Sequence, residues 1–165
     1  MKIKHIIPLL LLPVLGACSQ TDDVIKIFTG KRWKLTNIND SGGGDCTPEY
    51  FSNEAQWEES MKLLSEKGNF VITFTGAEVD GEVIGAYNGR TARAAISGKW
   101  KANGKNNAFE ISGQAAPGNS EDVLGKVFVH ALINAYKYEG DTAGNLTIYF
   151  KENRADKYLL LYANN

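Results

Sequence analysis

Phe70-Val71-Ile72-Thr73-Phe74-Thr75, followed by Asp80-Gly81 and the short run at 83–87, decides the fold. Phe70, Ile72 and Phe74 alternate with Val71, Thr73 and Thr75. A period of two is what a strand needs when its faces meet different surroundings. Asp-Gly suits a tight hairpin because both residues tolerate positive φ. The pattern recurs downstream. Asn88-Gly89 reads as a second turn, and Ala94, Ile96, Gly98 and Trp100 then alternate with Arg93, Ala95, Ser97, Lys99 and Lys101. Asn103-Gly104 reads as a third turn, after which Phe109 and Ile111 alternate with Ala108, Glu110 and Ser112. Such turns between alternating runs predict an antiparallel meander.

The flanks extend it. Trp33 and Leu35 face one way while Arg32, Lys34 and Thr36 face the other, a strand with a core side and a wet side. Gly42-Gly43-Gly44 ends that strand; it lacks the Gly-Lys-Ser/Thr and following helix of a phosphate loop. Ser52 reads as the N-cap of a helix over 53–67, with Gly68 as its stop and Glu58-Glu59 on a solvated face. Ser120 opens a second helix, whose apolar stripe runs through Val123, Leu124, Val127, Phe128, Ala131, Leu132 and Ala135. Leu146, Ile148 and Phe150 mark a further strand, and the apolar run 158–162 marks the last, with a charged turn at 151–157 between them. The expected class is α+β, mainly antiparallel β: a curved sheet or small β-barrel of about seven strands with two helices packed on it.

The N-terminus carries a different signal. Lys2 and Lys4 precede an apolar run at 6–15 that is broken by Pro8 and Pro13 and ends in Leu15-Gly16-Ala17-Cys18. Crossing a bilayer takes about 20 apolar residues, so this run reads as an export signal. A plain signal peptide needs no cysteine at its cut; a lipoprotein does. The expected organisation is a signal peptide at 1–17, a lipidated tether at 18–29 and a β domain at 30–165. Each acyl chain contributes about 0.8 kcal/mol per buried CH₂, so a multiply acylated Cys18 anchors firmly without a membrane-spanning helix. Residues 24–29 read as one helical turn that docks the tether. Ser19, in place of an aspartate, resembles the sorting position of outer-membrane lipoproteins. Asp22-Asp23 resembles the acidic tethers of surface-exposed ones. Localisation is therefore expected at the outer membrane, on its periplasmic or its surface face.

Composition narrows the function. The chain has 165 residues and a net charge of −1; removing 1–17 leaves 148 residues and −3. That is one domain's length, and with no Lys/Arg cluster it has no electrostatic footprint for nucleic acid. With Cys18 acylated, Cys46 has no partner for an intramolecular disulfide and reads as an unremarkable free thiol in a loop. His130 is the only histidine outside the signal, too little for a metal site or a catalytic triad. No G-x-S-x-G elbow is present. The expectation is a non-catalytic binding or accessory module that takes no cofactor or metal. The alternative is a carrier of a small apolar ligand lined by Trp33, Tyr87 and Trp100. Against it stands core packing, the ordinary role of inward aromatics.

The order of elements resembles the META/HslJ-like family of small envelope proteins and, more loosely, lipocalin-type lipoprotein domains. The matching stretches are Gly30-Lys31-Arg32-Trp33-Lys34-Leu35, Asn88-Gly89-Arg90 through Trp100, Phe109-Glu110-Ile111, the helix at 127–135, Leu146-Thr147-Ile148-Tyr149-Phe150 and Leu159-Leu160-Leu161-Tyr162. The family's cysteine-bearing segment is missing, and the helix at 53–67 is an insertion. The resemblance implies a β-barrel-like fold with a helix packed on it. It carries over no catalytic residues.

Overall fold

The computed structural model describes residues 20–113, 118 and 121–164, with side chains from residue 23 onward. The hairpin of β2 (Val71–Val79) and β3 (Glu82–Arg90) turns at Asp80-Gly81, where φ is 53° and 82°. β4 (Ala95–Asn103) and β5 (Ala108–Ser112) continue the meander. β6 (Ala135–Gly140), β7 (Asn145–Glu152), β8 (Ala155–Ala163) and β1 (Arg32–Asp40) complete a closed antiparallel barrel in which each strand pairs with its sequence neighbour and β8 pairs with β1. Closure settles the choice between an open sheet and a cylinder. The strands number eight.

The additional strand is β6. The apolar stripe suggested that Ala135 continues a helix, but that helix, α3 (Val123–Ile133), stops at Asn134. There the Asn134 backbone N–H and side-chain amide both donate to the His130 carbonyl, at 3.1 and 2.8 Å. The cap at the other end is Asp122, whose carboxylate accepts from the Gly125 N–H. Ser120, the expected cap, lies outside the described residues, as do most of 113–119. α2 (Glu54–Ser65) is capped by Asn53 in place of Ser52: its side chain accepts from the Gln56 N–H at 3.0 Å. α2 ends before Gly68, where Lys34 Nζ donates to the carbonyls of Glu66 and Asn69 and ties the helix exit to β1. Residues 20–28, part of the expected tether, form a longer helix than one turn, α1 (Gln20–Phe28).

Asn88-Gly89 is not a turn. Both residues sit inside β3, paired with Thr73 and Ile72 on one side and with Ser97 and Ile96 on the other. Glycine is needed at 89 for close approach, since a Cβ there would lie 2.2 Å from the Val71 carbonyl oxygen. The chain reverses instead at 91–94, where the Thr91 hydroxyl accepts from the N–H groups of Arg93 and Ala94. Similarly, β7 and β8 run further than expected and reverse at Asn153-Arg154, with φ of 50° and 70°.

The two longest connections interrupt the barrel where its pairing is shortest. α2 lies between β1 and β2, which share three registered pairs, and α3 lies between β5 and β6, which share one. α1 packs against β2, β3 and β4 at one end of the barrel. α3 packs against β5, β7 and β8 at the other, with Phe128 edge-on to Phe70. Phe28, the last residue of α1, enters the lumen fully buried. Its ring lies 5.1 Å from Phe74, 4.7 Å from Trp100, 5.3 Å from Phe109 and 4.9 Å from Tyr138. Deleting such a ring leaves a cavity. Phe28→Ala is expected to destabilise the domain by about 3–5 kcal/mol, whereas exposed Ile133→Ala stays within about 1 kcal/mol. Denaturant unfolding of both variants checks the difference.

Candidate functional site

The three aromatics expected to line a ligand space converge around α1. Trp33 is fully buried and donates its indole N–H to the Phe28 carbonyl at 3.1 Å. Trp100 donates to the Thr75 carbonyl at 3.0 Å and packs on Phe28, Phe74 and Phe109. Tyr87 lies 6.3 Å from Phe74 with its ring against the backbone of Gly98, and burial pushes its phenol up to about 12. The rings fill the lumen against one another, and each buried indole has a partner for its N–H. Phe28 completes this cluster. Its place was not legible locally, because a short amphipathic stretch does not say which surface it will meet.

A second cluster was missed altogether. Thr91, Glu121 and Asp122 are buried where the β3–β4 turn meets the start of α3. The Thr91 hydroxyl bonds Glu121 Oε2, while Asp122 Oδ1 caps Gly125. The remaining oxygens, Glu121 Oε1 and Asp122 Oδ2, are buried and have no donor among the described residues. Burial raises the Glu121 pKa against the opposing Thr91 hydrogen bond, and the hydrogen bond and charge of Asp122 raise it further. A proton held on Glu121 and shared with Asp122 meets the needs of both oxygens, because a protonated carboxyl is a donor. From α2, Glu59 faces this site with its carboxylate paired to Arg93, and Gln56 and buried Ser60 complete a cleft of about 220 Å³. Acids just before a helix are ordinarily solvated caps, so the sequence signal for this pair is faint.

Two further clefts lie on the surface. One of about 480 Å³ follows the β2–β3 rim near Gly89 and Arg93. One of about 300 Å³ opens at the β5–β6 seam beside Lys101, Phe109 and Tyr136. None of the three is lined by Trp33, Tyr87 or Trp100. Cys46 is a free, buried core thiol whose Sγ lies 3.5 Å from the Ile38 carbonyl oxygen, and burial pushes its pKa up. His130 is exposed on α3 beside Asn134. Among the described residues, no group of three or more His, Cys, Asp and Glu side chains could hold a metal ion. Cys18 lies outside the described residues.

The strand order and the packing of α1 and α3 define an eight-stranded up-and-down barrel with helices at both ends. A family model described as "Domain of unknown function (DUF4847)" matches residues 19–163, and the chain belongs to that family. Among solved structures, the crystal structure of a DUF4847 family protein from Bacteroides vulgatus ATCC 8482 is 24% identical, with a TM-score of 0.60 over 86% of this chain and 97% of that one. This shows a shared fold. No curated protein matches.

The acid pair sets a pH dependence. Glu121 ordinarily titrates near 4.5 and is raised in the folded state. Between those two values the folded state holds the extra proton, so stability falls as pH rises through the window. Below about pH 4.5 Glu121 imposes no penalty. Glu121→Gln is expected to flatten this alkaline-side loss. Denaturant midpoints of both proteins between pH 4 and pH 9 measure it as a difference, which cancels the other carboxylates.

Proposed function

We propose that this chain is an outer-membrane lipoprotein, cut before Cys18 and acylated on its sulfur, whose barrel is a non-catalytic binding or accessory module of the cell envelope. The carrying observation is Leu15-Gly16-Ala17-Cys18 at the end of a short apolar run behind Lys2 and Lys4. The domain's limits support the reading. The family match begins at residue 19 and α1 begins at Gln20, so Cys18 precedes both in sequence. No helix of the described residues is long and apolar enough to cross a membrane. Ser19 favours the outer membrane, as argued from its resemblance to sorted lipoproteins. The likeness to META/HslJ-like envelope proteins points the same way and rests on the strand and helix stretches quoted above.

A lipocalin-like carrier is the second reading. The seam cleft favours it, because Phe109 lines that cleft and also stacks on Phe28 inside the lumen. An apolar ligand entering there would compete with Phe28 for the same space. A saturable shift of tryptophan fluorescence across a lipid panel would select this reading.

The anchor is tested by Cys18→Ser in cells. The expected result is loss of the acyl mass, retention of residues 1–17 and a shift in fractionation of the protein. Unchanged intact mass and unchanged partitioning into the outer membrane would contradict the proposal.

A further inference from the structure

We propose that the α1 end of the barrel lies directly on the lipid surface, with the β2–β3 tip and the end of β8 in contact with the headgroups. This deepens the anchored reading and rests on it. Only Ser19 separates Cys18 from the first residue of α1, and two residues of extended chain span at most about 7 Å. α1 is not a loose spacer: Val24 and Phe28 are buried, and the Phe28 ring is held from four strands. A lipid on Cys18 therefore fixes which end of the barrel meets the membrane.

The surface of that end agrees. Because neighbouring strands are antiparallel, β2 and β8 end and β3 begins at the same end of the barrel as the start of β1, where α1 docks; β8 ends directly beside β1, and the β2–β3 tip lies six residues beyond the last β2 residue that β1 pairs with. At this end Val79, 48% exposed, and Ile84, 41% exposed, stand on the β2–β3 hairpin, and Tyr162, 54% exposed, stands near the end of β8 opposite Lys34 of β1. The last five residues of β2 are all exposed and lie beyond the three β2 residues that β1 pairs with, so this arm of the hairpin is uncovered by β1. Apolar side chains with a tyrosine suit the interfacial layer of a bilayer. Asp80 and Glu82 at the tip carry like charge to anionic headgroups, which selects a zwitterionic phospholipid surface as the occupant. Burying Val79 and Ile84 there adds apolar contact that a freely swinging domain would not make.

The test uses the full lipidated protein in vesicles of phosphatidylcholine and phosphatidylethanolamine that carry a headgroup-level spin-label quencher. A fluorophore is placed at Ile84→Cys in one variant and at Ile133→Cys in another. Both native side chains are 41% exposed and they lie at opposite ends of the barrel. Cys46 is buried and Cys18 is blocked by acylation, so labelling is selective. The expected result is a blue shift and several-fold stronger quenching at 84 than at 133, and a flexible Gly/Ser insert between Ser19 and Gln20 reduces the contrast. Equal quenching in protein that floats with the vesicles overturns the orientation and leaves the anchor standing. Protein that lacks the acyl mass and fails to float overturns the anchor, and the orientation with it.

Discussion

Phe28 holds this barrel together at its two weakest places. The β5–β6 seam has a single registered pair, and the Phe28 ring touches Phe109 of β5 and Tyr138 of β6 across it. The β1–β2 seam has three, and there the Phe28 carbonyl accepts from Trp33 of β1 while its ring meets Phe74 of β2. One residue from a nine-residue helix thus bridges both joins. Full burial of such a side chain contributes roughly 1.5–3 kcal/mol, and each well-placed aromatic neighbour adds about 0.5–1.5 kcal/mol. Those are large fractions of a domain's net stability, which is about 5–15 kcal/mol.

The same packing explains why small residues stand where strands approach most closely. Gly98, like Gly89, occupies a strand interior, and a Cβ there would lie 2.4 Å from the Ser112 carbonyl oxygen and 2.9 Å from the Tyr87 ring. The indoles, the tyrosine and Phe28 take up lumen volume that smaller inward residues would leave for a guest. Whether the lumen opens to one depends on α1, because that helix supplies the ring at its centre.

The meander was legible from 70 to 112 because its alternation and the Asp80-Gly81 turn are local signals. β6 was hidden for two local reasons. Ala135 prolongs the apolar stripe of α3, and a bulge between Ala135 and Lys137 turns Tyr136 outward while Tyr138 points in, so the period of two breaks. Asn88-Gly89 misled because glycine serves both turns and close contacts. Thr91, whose hydroxyl caps the real turn, is an inconspicuous residue for that work. The acid pair could not be read from its own helix, since its burial depends on Thr91, thirty residues earlier. Trp33, Tyr87 and Trp100 were legible as inward aromatics, and it took the position of Phe28 to show what they pack against.

The short seams also divide the cylinder into two four-stranded halves, β2–β5 and β6–β7–β8–β1. The first half is continuous in sequence and can assemble as soon as residue 112 is available. The second cannot, because β1 pairs with β8 across more than a hundred intervening residues, as in the Thr36 hydroxyl donating to the Leu160 carbonyl. Pairings so distant along the chain are slow to form. Until the C-terminal strand arrives, the opening strand has an unsatisfied edge on that side. The order of synthesis therefore makes ring closure the final event, and the last nine-residue strand decides when the N-terminus stops being a hazard for sticking to its neighbours.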